Sequence, residues 1–327
     1  MKDYLLRRLL FAFFLIIGIS IITFVVINLP PGDYLDTYVS NLEERGVMVD
    51  REMAAALRAR YGLDQPLLLR YFTWVRGLLR GDFGQSFLFE RPARDVLFER
   101  IPLTAVISIT TLLFQFVVAI PIGIYSAVKQ YSIGDYVATV FGFVGLAIPN
   151  FLLALVLMLM FHNWFGISVG GLFSPEYQDA AWSLARVWDM IKHLWAPVIV
   201  IGSAGTAGTI RVMRAMLLDE LAKDYVKTAL SKGLSRWQAV IRHPVRVAIN
   251  PIISTIGWLL PAIVSGAAIV SVVLNLPTTG PVLLRALQAQ DMYLAGSFVM
   301  MLSILTVVGT FISDILLAFV DPRIRYD

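Results

Sequence analysis

Cysteine is absent from this 327-residue chain, and charged residues are scarce. The lack of cysteine excludes disulfides, thiol catalysis and thiolate metal sites. Charged residues make up 15% of the chain, against about 25% in an average soluble domain, and the mean hydropathy is +0.74. So few charges cannot cover a soluble protein of this size, and much of the surface must contact lipid. This excludes a cytosolic enzyme, a nucleic-acid-binding domain and a disordered protein.

Groups that could carry catalysis are also scarce. The three histidines, His162, His193 and His243, form no HExxH pattern, and the chain has neither a GxSxG elbow nor a GxxxxGK phosphate loop. The chain is therefore predicted not to be an enzyme, and we expect no cofactor or metal of its own. The glycine-rich run 202–208 has no lysine after it, which favours close helix packing over phosphate binding.

Long apolar runs are abundant. A membrane-spanning helix needs roughly 20 apolar residues, and six stretches qualify. They are residues 9–29, 101–128, 136–161, 193–210, 247–274 and 292–320. Asp314 is the only ionisable residue well inside a run, and we interpret it as structural. Because ion-coupled transport needs ionisable groups at membrane depth, the energy for any transport is expected to come from another subunit.

The basic residues predict the orientation of these spans. They cluster at both termini and between the fourth and fifth spans, at residues 211–246. The positive-inside rule places all three segments in the cytoplasm, and an even number of spans agrees with that. The net charge of +4 then reflects cytoplasmic loops and does not indicate nucleic acid. Residues 33–100 are predicted to lie outside, where apolar residues at helical spacing either pack a small helical subdomain or help to receive a partner. They are Leu68, Tyr71, Phe72, Val75, Leu78 and Leu79.

The loop between the fourth and fifth spans has the strongest local signals. Gly233 is predicted to end a first short helix, and Ser235 starts a second helix with capping-box spacing to Gln238. The second helix is predicted to expose Trp237 together with Val240 and Ile241. Because exposed apolar patches usually mark interaction sites, the sequence indicates a docking element in this loop.

This loop resembles that of bacterial ATP-binding-cassette (ABC) importer permeases. In the segment 224–234, DYVKTALSKGL, the KTA triplet and Gly233 match the family pattern, and Arg242-His243 resembles the dipeptide/oligopeptide branch. Further segments similar to that branch run along the whole chain, at residues 31–33, 61–66, 77–84 and 321–326. The segment NLPTTG at 275–280 departs from the aromatic-Pro-Gly-x-Gly of most members.

The resemblance implies a fold and a set of partners. The fold is an all-α integral membrane protein with six transmembrane helices, a type I importer permease core and a small extracytoplasmic helical subdomain. Its parts are an N-terminal helix at 1–30, the subdomain at 31–100 and the core at 101–327. The implied partners are a second homologous permease, two ABC ATPases that bind ATP and Mg²⁺, and an extracytoplasmic solute-binding protein. The residues expected to couple the chain to the ATPases are Asp224, Tyr225, Thr228, Ala229, Gly233, Ser235, Trp237, Val240, Arg242 and His243.

The expected function is peptide import across the bacterial cytoplasmic membrane by alternating access. Oligosaccharides are the alternative substrate, and an ion-coupled secondary transporter or an integral membrane enzyme is a remote alternative. Polar residues within the third and fifth spans are candidates for the substrate path, with helix packing as the competing interpretation. They are Asn150, Ser254, Thr255 and Ser265.

Overall fold

The structure, a computed structural model, describes residues 2–29 and 64–320. Within these helices the side chains at 2–6, 257–258, 260–261, 265–266, 313–314 and 316–320 are outside the description. The predictions for Asp314 and for residues 31–33, 61–63 and 321–326 therefore lie outside the described part. The chain divides into two compact units. One comprises Met1–Thr104 and Thr278–Val307, and the other Ala105–Pro277 and Val308–Asp327.

Among the described residues, four helices are long and apolar enough to cross a membrane. They contain the stretches Arg7–Asn28, Ala93–Val128, Trp195–Leu221 and Met292–Ile312, and they belong to helices α1 (Lys2–Asn28), α3 (Ala93–Val128), α7 (Trp195–Leu221) and α14 (Met292–Val320). These helices agree with the first, second, fourth and sixth predicted spans. Helix α3 begins before residue 101, and α7 continues past residue 210.

The third predicted span is not one straight helix, which corrects the prediction of a continuous run at 136–161. Helices α4 (Ile133–Ala147) and α5 (Asn150–Phe165) are bent by 103° at the break between them. Pro149 has no N–H to donate, and its ring forces Ile148 into an extended conformation with φ −86° and ψ 121°. If this bent pair counts as one span, the described residues hold up to five.

The fifth predicted span, 247–274, is also interrupted. Three helices cover it in place of one: α10 (Pro244–Ala248), α11 (Asn250–Ser254) and α12 (Ile256–Val273). Pro251 lies in the first turn of α11, where the missing N–H is tolerated at a helix start but interrupts the preceding helix. Within the described residues of this run, Ala262–Val273 is the shorter apolar helix. The total of six spans and the extracytoplasmic placement of residues 33–100 stay predictions.

The first unit contains a two-stranded hairpin that the all-α prediction did not include. Helix α2 (Leu67–Leu79) precedes the antiparallel strands β1 (Gln85–Ser86) and β2 (Arg91–Pro92). The predicted apolar stripe does form a helix, but Leu68, Phe72 and Leu79 are exposed. Trp74 is the buried residue of α2, and Tyr71 bonds to Ser20 of α1 at 2.8 Å.

A buried carboxylate holds the hairpin to the rest of this unit. Asp291 lies between α13 (Thr279–Gln288) and α14 and is fully buried. It accepts hydrogen bonds from the Ser86 hydroxyl at 2.6 Å and the Leu88 amide at 3.0 Å. Its second oxygen accepts from the Leu294 amide at 3.2 Å. Burial raises the pKa of the Asp291 carboxyl above its ordinary value, against the effect of these donors.

Helix α7 packs against most of the other helices of the second unit. Its glycines allow a close approach of α3, since a Cβ at Gly205 would lie 2.4 Å from Gln115 Oε1 and a Cβ at Gly202 would lie 3.1 Å from the Phe114 ring. The Gln115 amide donates to the Thr209 hydroxyl at 2.8 Å, and both residues are buried. The predicted packing role of the run 202–208 is confirmed for these two glycines.

The segment between α5 and α7 is folded as well. It contains a single 3-10 turn at Pro175–Tyr177 and the helix α6 (Leu184–His193). After α7 the chain forms the short helices α8 (Asp224–Ser231) and α9 (Arg236–Arg242) before entering α10. The predicted coupling loop at 211–246 is therefore mostly helical, because α7 supplies its first part.

Candidate functional site

The turn between α8 and α9 has the geometry that the sequence predicted. Gly233 has a φ of +86°, a region that side-chain-bearing residues rarely adopt. Its amide donates to the Leu230 carbonyl at 2.9 Å, and the Leu234 amide donates to the Ala229 carbonyl at 3.4 Å. This pair of bonds is a Schellman motif, which satisfies carbonyls at the end of a helix. The helix stop at Gly233 is confirmed.

The start of α9 is fixed by a capping box. The Ser235 hydroxyl accepts from the Gln238 amide at 3.3 Å, and the Gln238 side chain accepts from the Ser235 amide at 3.2 Å. Two helix-terminal donors are thereby satisfied by reciprocal bonds. Since the Schellman motif ends at Leu234 and the capping box begins at Ser235, the turn between α8 and α9 has little freedom.

Helix α8 has an exposed polar side and a buried apolar side. Asp224 pairs with Lys227 at 2.9 Å, and the Thr228 hydroxyl donates to the Asp224 carbonyl at 3.0 Å. These contacts are exposed and contribute little stability. On the other side Val226 and Ala229 are buried. Of the predicted coupling residues here, Asp224 and Thr228 are available to a partner and Ala229 is not.

Tyr225 links α8 to the end of α7. Its hydroxyl donates to Glu220 Oε2 at 2.5 Å, and Lys223 bonds to the other oxygen of the same carboxylate. Burial, together with the hydrogen bond to Glu220, raises the pKa of the Tyr225 phenol well above its ordinary value. The phenol therefore keeps its proton, and this bond persists at physiological pH.

Helix α9 separates the residues that were predicted to act together. Trp237 is 61% exposed and Ile241 is 38% exposed, whereas Val240 is only 2% exposed. The expectation that Val240 is presented for docking is therefore wrong, because the helix turns its Ala239–Val240 face inward. Arg242 and His243 are exposed, and His243, with φ −122° and ψ −70°, forms the joint to α10.

Val240 belongs to an apolar cluster that joins α9 to the apolar helices. Complete burial of such a side chain contributes about 1.5–3 kcal/mol. The cluster draws residues from the ends of α3 and α7 and from α10 and α11. Its buried members besides Val240 are Ile124, Ala127, Met213, Leu217, Ala248 and Ile252.

A partly buried ion pair lies close to this cluster and was missed in the sequence. Asp135, in the first turn of α4, accepts from Arg214 Nε at 2.8 Å and Arg214 Nη2 at 2.9 Å. It also accepts from the Tyr131 amide at 2.9 Å. Bidentate bonds of this kind are among the stronger polar contacts. The available signal was the Ser132-x-x-Asp135 cap, but nothing local indicates a partner 79 residues away.

The three described candidates for the substrate path each bond to a backbone carbonyl, and their role in transport stays a prediction. Asn150 Nδ2 donates to the Ile201 carbonyl of α7 at 3.5 Å. The hydroxyls of Ser254 and Thr255 donate to carbonyls of their own segment, Asn250 at 2.9 Å and Ile252 at 2.6 Å. Among the described contacts, none joins Asn150 to either of them. The Ser265 side chain lies outside the described part, so its role stays a prediction.

Acidic and imidazole groups are dispersed. In the part of the chain that the structure describes, no three His, Asp or Glu side chains are grouped so that they could hold a metal ion. Three structural features instead occur together in the α8–α9 segment: a rigid turn at Gly233, an exposed Trp237 and a buried Val240.

Comparison with known proteins identifies the family. Residues 119–326 match the family described as binding-protein-dependent transport system inner membrane component, and residues 1–110 match the N-terminal family of the same components. The chain is 31% identical to the oligopeptide transport system permease protein AppB of Bacillus subtilis (strain 168), with all of both chains covered. It is 30% identical to the dipeptide transport system permease protein DppB of Escherichia coli (strain K12), covering 100% of this chain and 99% of that one.

A third relative, the oligopeptide transport system permease protein OppB of Haemophilus influenzae, is 29% identical with both chains fully covered. These matches confirm the resemblance that the segment 224–234 indicated. The chain belongs to the family of binding-protein-dependent transport system inner membrane components.

Proposed function

We propose that this chain is a permease subunit of an ATP-driven, binding-protein-dependent importer that moves peptides across the bacterial cytoplasmic membrane by alternating access. Family membership and full-length similarity to peptide permeases support the transport role. The apolar helices support an integral location in the membrane. The chain is a transport subunit and not an enzyme, since ATP hydrolysis in such systems belongs to separate ATPase subunits.

Peptides are favoured over oligosaccharides as the substrate. The relatives AppB, DppB and OppB carry oligopeptide or dipeptide names and align over the whole chain. A secondary transporter driven by an ion gradient is not favoured, because the family works with ABC partners.

The single observation that carries the coupling step is the division of α9 into an exposed face and a buried face. Trp237 is available to a partner, whereas Val240, three residues later, is packed among α3, α7, α10 and α11. A displacement applied at Trp237 is therefore transmitted to helices that continue into the membrane. The rigid turn at Gly233 keeps α8 and α9 together during that displacement. Closure of the ATPases can shift the permease from one alternating-access state to the other only to the extent that the closed ATPases bind one of these states more tightly.

The surface around Trp237 fits an ATPase cleft with an apolar floor and an acidic rim. Lys232, Arg236 and Arg242 are exposed on the same α8–α9 segment as Trp237. Rim charges of this kind affect the association rate and salt dependence more than affinity, while a central aromatic anchor contributes most of the binding energy. In this proposal Trp237 is the anchor and Val240 is the connection to the membrane helices.

The ion pair Asp135–Arg214 supplies a second connection. Arg214 lies one turn before Leu217 of the Val240 cluster, so a movement of the end of α7 also acts on α4. Loss of Arg214 would leave the buried Asp135 carboxylate without its charge partner, which is destabilising. We therefore expect α4 and α7 to move as one body at this end.

The complete importer, in this proposal, contains a second homologous permease, two ABC ATPases and an extracytoplasmic solute-binding protein. ATP and Mg²⁺ bind to the ATPases, and this chain holds no cofactor. Both termini and the α8–α9 pair face the cytoplasm, and residues 33–100 lie outside. The basic residues at 211–246 and near the termini support this orientation.

Reconstitution tests the proposal. The chain is placed in proteoliposomes with its second permease and ATPases, and the binding protein is supplied outside. Uptake of labelled di- and oligopeptides is expected only with ATP in the ATPase compartment, and vanadate should abolish it. Uptake of oligosaccharides in place of peptides would overturn the substrate assignment, and uptake driven by an ion gradient without ATP would overturn the mechanism.

Cysteine labelling tests the orientation, because the natural chain has no cysteine. In sealed cells, an impermeant maleimide should react with Asp64→Cys and not with Lys232→Cys until the membrane is opened. Both positions are exposed, so neither substitution disturbs packing. The reverse labelling pattern would contradict the proposed orientation.

A further inference from the structure

Helix α6 has an apolar stripe that is exposed in the part of the chain that the structure describes. Leu184 is 90% exposed, Trp188 is 60% exposed and Ile191 is 49% exposed. Their spacing of four and three residues places them on one face of the helix. On another side of the same helix, Asp189 and Met190 are buried. The exposed stripe is therefore the outward surface of a helix whose other side packs against the protein.

The orientation of α6 is fixed by polar contacts. Asp189 accepts from the Ser174 amide and from the Ser174 hydroxyl, both at 2.7 Å. The Arg186 guanidinium lies 4.7 Å from the centroids of both the Phe173 and Trp182 rings. The Ser183 hydroxyl caps the helix by accepting from the Arg186 amide at 3.2 Å. With these contacts in place, α6 cannot rotate its apolar stripe toward the interior.

The stripe continues without a break onto a predicted membrane span. Only Leu194 separates α6 from α7, and the next exposed residues at helical spacing are Trp195 and Ile199, 38% and 39% exposed. The Trp195 ring lies 5.0 Å from that of Phe161, which belongs to the last turns of α5. The surface of α6 therefore joins the exposed apolar surface at the end of α5 and the start of α7.

Tryptophan is concentrated at this end of the two helices. Four of the seven tryptophans of the chain fall within residues 164–195, and Trp164 at the end of α5 is 67% exposed. Tryptophan is enriched where a membrane meets water, since its ring is apolar and its N–H is polar. A cation also flanks the stripe, because Lys192 lies 6.0 Å from the Trp188 ring centroid.

We propose that α6 is an interfacial helix that lies in the membrane surface, with Leu184, Trp188 and Ile191 inserted among phospholipids of the outer leaflet. An apolar face with aromatic residues and flanking cations is typical of helices that lie in this plane. Lys192 is then placed at the level of the phosphates. The helix fixes the depth at which α7 enters the membrane. The assignment to the outer leaflet rests on the orientation given under the proposed function, whereas insertion into lipid does not.

The continuity with α7 decides between lipid and a protein partner. A docking surface for a solute-binding protein would need polar groups around its apolar centre, and it would end where the membrane begins. The exposed stripe instead runs from Leu184 to Ile199, and only one residue, Leu194, lies between the two helices that carry it. Phospholipid is the occupant that covers both parts of such a surface.

Spin labelling tests this in the complete importer. Nitroxides are attached to Leu184→Cys and, separately, Ile191→Cys, with Asp64→Cys as the control. Asp64 is exposed and lies outside the membrane, on the same side as α6, in the proposed orientation. The ratio of oxygen to nickel-complex accessibility is then measured in proteoliposomes. We expect a ratio several-fold higher at both stripe positions than at Asp64.

Two results would overturn the inference. Stripe positions as accessible to the nickel complex as Asp64 would place α6 in water. Positions that are water-exposed and become immobile when the solute-binding protein is added would assign the stripe to that protein. Peptide uptake measured in the same proteoliposomes separates the two proposals. Uptake with a water-exposed stripe contradicts only the interfacial helix, and a lipid-inserted stripe without uptake contradicts only the importer function.

Discussion

The chain has two short helices that each expose a tryptophan, and their surroundings are opposite. Trp188 of α6 is 60% exposed and Trp237 of α9 is 61% exposed. Both helices begin at a capping serine, Ser183 or Ser235. Trp188 lies on an apolar stripe that continues into α7, whereas Trp237 lies on a helix whose other exposed residues include Arg236 and Arg242. Exposure alone therefore does not identify a partner. From the other exposed residues of each helix we infer lipid in one case and an ATPase in the other.

The two helices also differ in how they are attached. Polar contacts hold α6, chiefly through Asp189 and Arg186. Apolar packing of Val240 holds α9. An attachment through a cluster shared with α3, α7 and α11 transmits movement to those helices, while α6 is attached mainly to its own loop. This difference suits α9 to coupling and α6 to anchoring.

The largest expected effect is a loss of ATPase affinity on substitution of Trp237 but not of Trp188. Trp237→Ala is expected to weaken ATPase binding by ~2 kcal/mol or more, about 30-fold, because a central aromatic side chain usually dominates an interface. Trp188→Ala is the matched control and should leave ATPase affinity unchanged. Titration of the ATPases onto the reconstituted permease pair measures both. Equal weakening by the two substitutions would remove the distinction between them.

A second prediction compares two glycines with left-handed conformations. Gly233 has φ +86° and Gly166, at the end of α5, has φ +64°, and neither has a neighbouring atom within 4 Å of an added Cβ. Valine at either position costs about 1–3 kcal/mol of backbone strain. We expect Gly233→Val to raise the ATP hydrolysed per peptide transported, since it distorts the α8–α9 turn. Gly166→Val should destabilise by a similar amount and leave that ratio unchanged; if both raise the ratio, strain alone explains the effect.

A smaller effect is expected from the capping serines. Ser235→Ala and Ser183→Ala should each destabilise their helix by about 1 kcal/mol, because a hydroxyl that satisfies a helix-terminal amide is lost. Hydrogen exchange of the amides in α9 and α6 measures this locally. Only Ser235→Ala is expected to reduce coupling as well. Unchanged protection in both helices would contradict the capping assignments.

The sequence predicts a feature when the residues that form it lie close together along the chain, and fails when they lie far apart. The Gly233 stop and the Ser235 box are local, since each motif lies within a few residues, and the sequence predicted both. The inward turn of Val240 is not local, because a seven-residue helix is oriented by its packing partners and not by its own pattern. The same applies to Asp135 and Arg214, which the fold brings together. The bend after Ala147 had a visible signal in Pro149, but proline inside apolar runs is often tolerated.

The smallest expected effect is a pH dependence of the Asp189–Ser174 contacts that hold α6. Burial opposes the charge on Asp189, but the hydrogen bonds from Ser174 outweigh it and hold the pKa of this carboxyl below its ordinary value. A carboxyl group whose pKa is lower in the folded than in the unfolded protein stabilises the fold at pH values above its unfolded-state pKa. That stabilisation is lost as the pH falls through its folded-state pKa. The protection of residues 174–193 against hydrogen exchange, corrected for the intrinsic exchange rate at each pH, should therefore fall below about pH 4, near the ordinary value for aspartate. Asp189→Asn should remove this pH dependence, and its persistence in that variant would assign it to another group.

Site-specific cross-linking tests the central claim most directly. A photoreactive residue replaces Trp237 in one variant and Trp188 in another, and each is irradiated in the assembled, membrane-embedded importer. The account predicts a cross-link from position 237 to an ATPase subunit in both nucleotide-free and ATP-bound states, and cross-links from position 188 to lipid. If position 237 gives no ATPase product in either state, the α8–α9 pair does not couple ATP hydrolysis to transport.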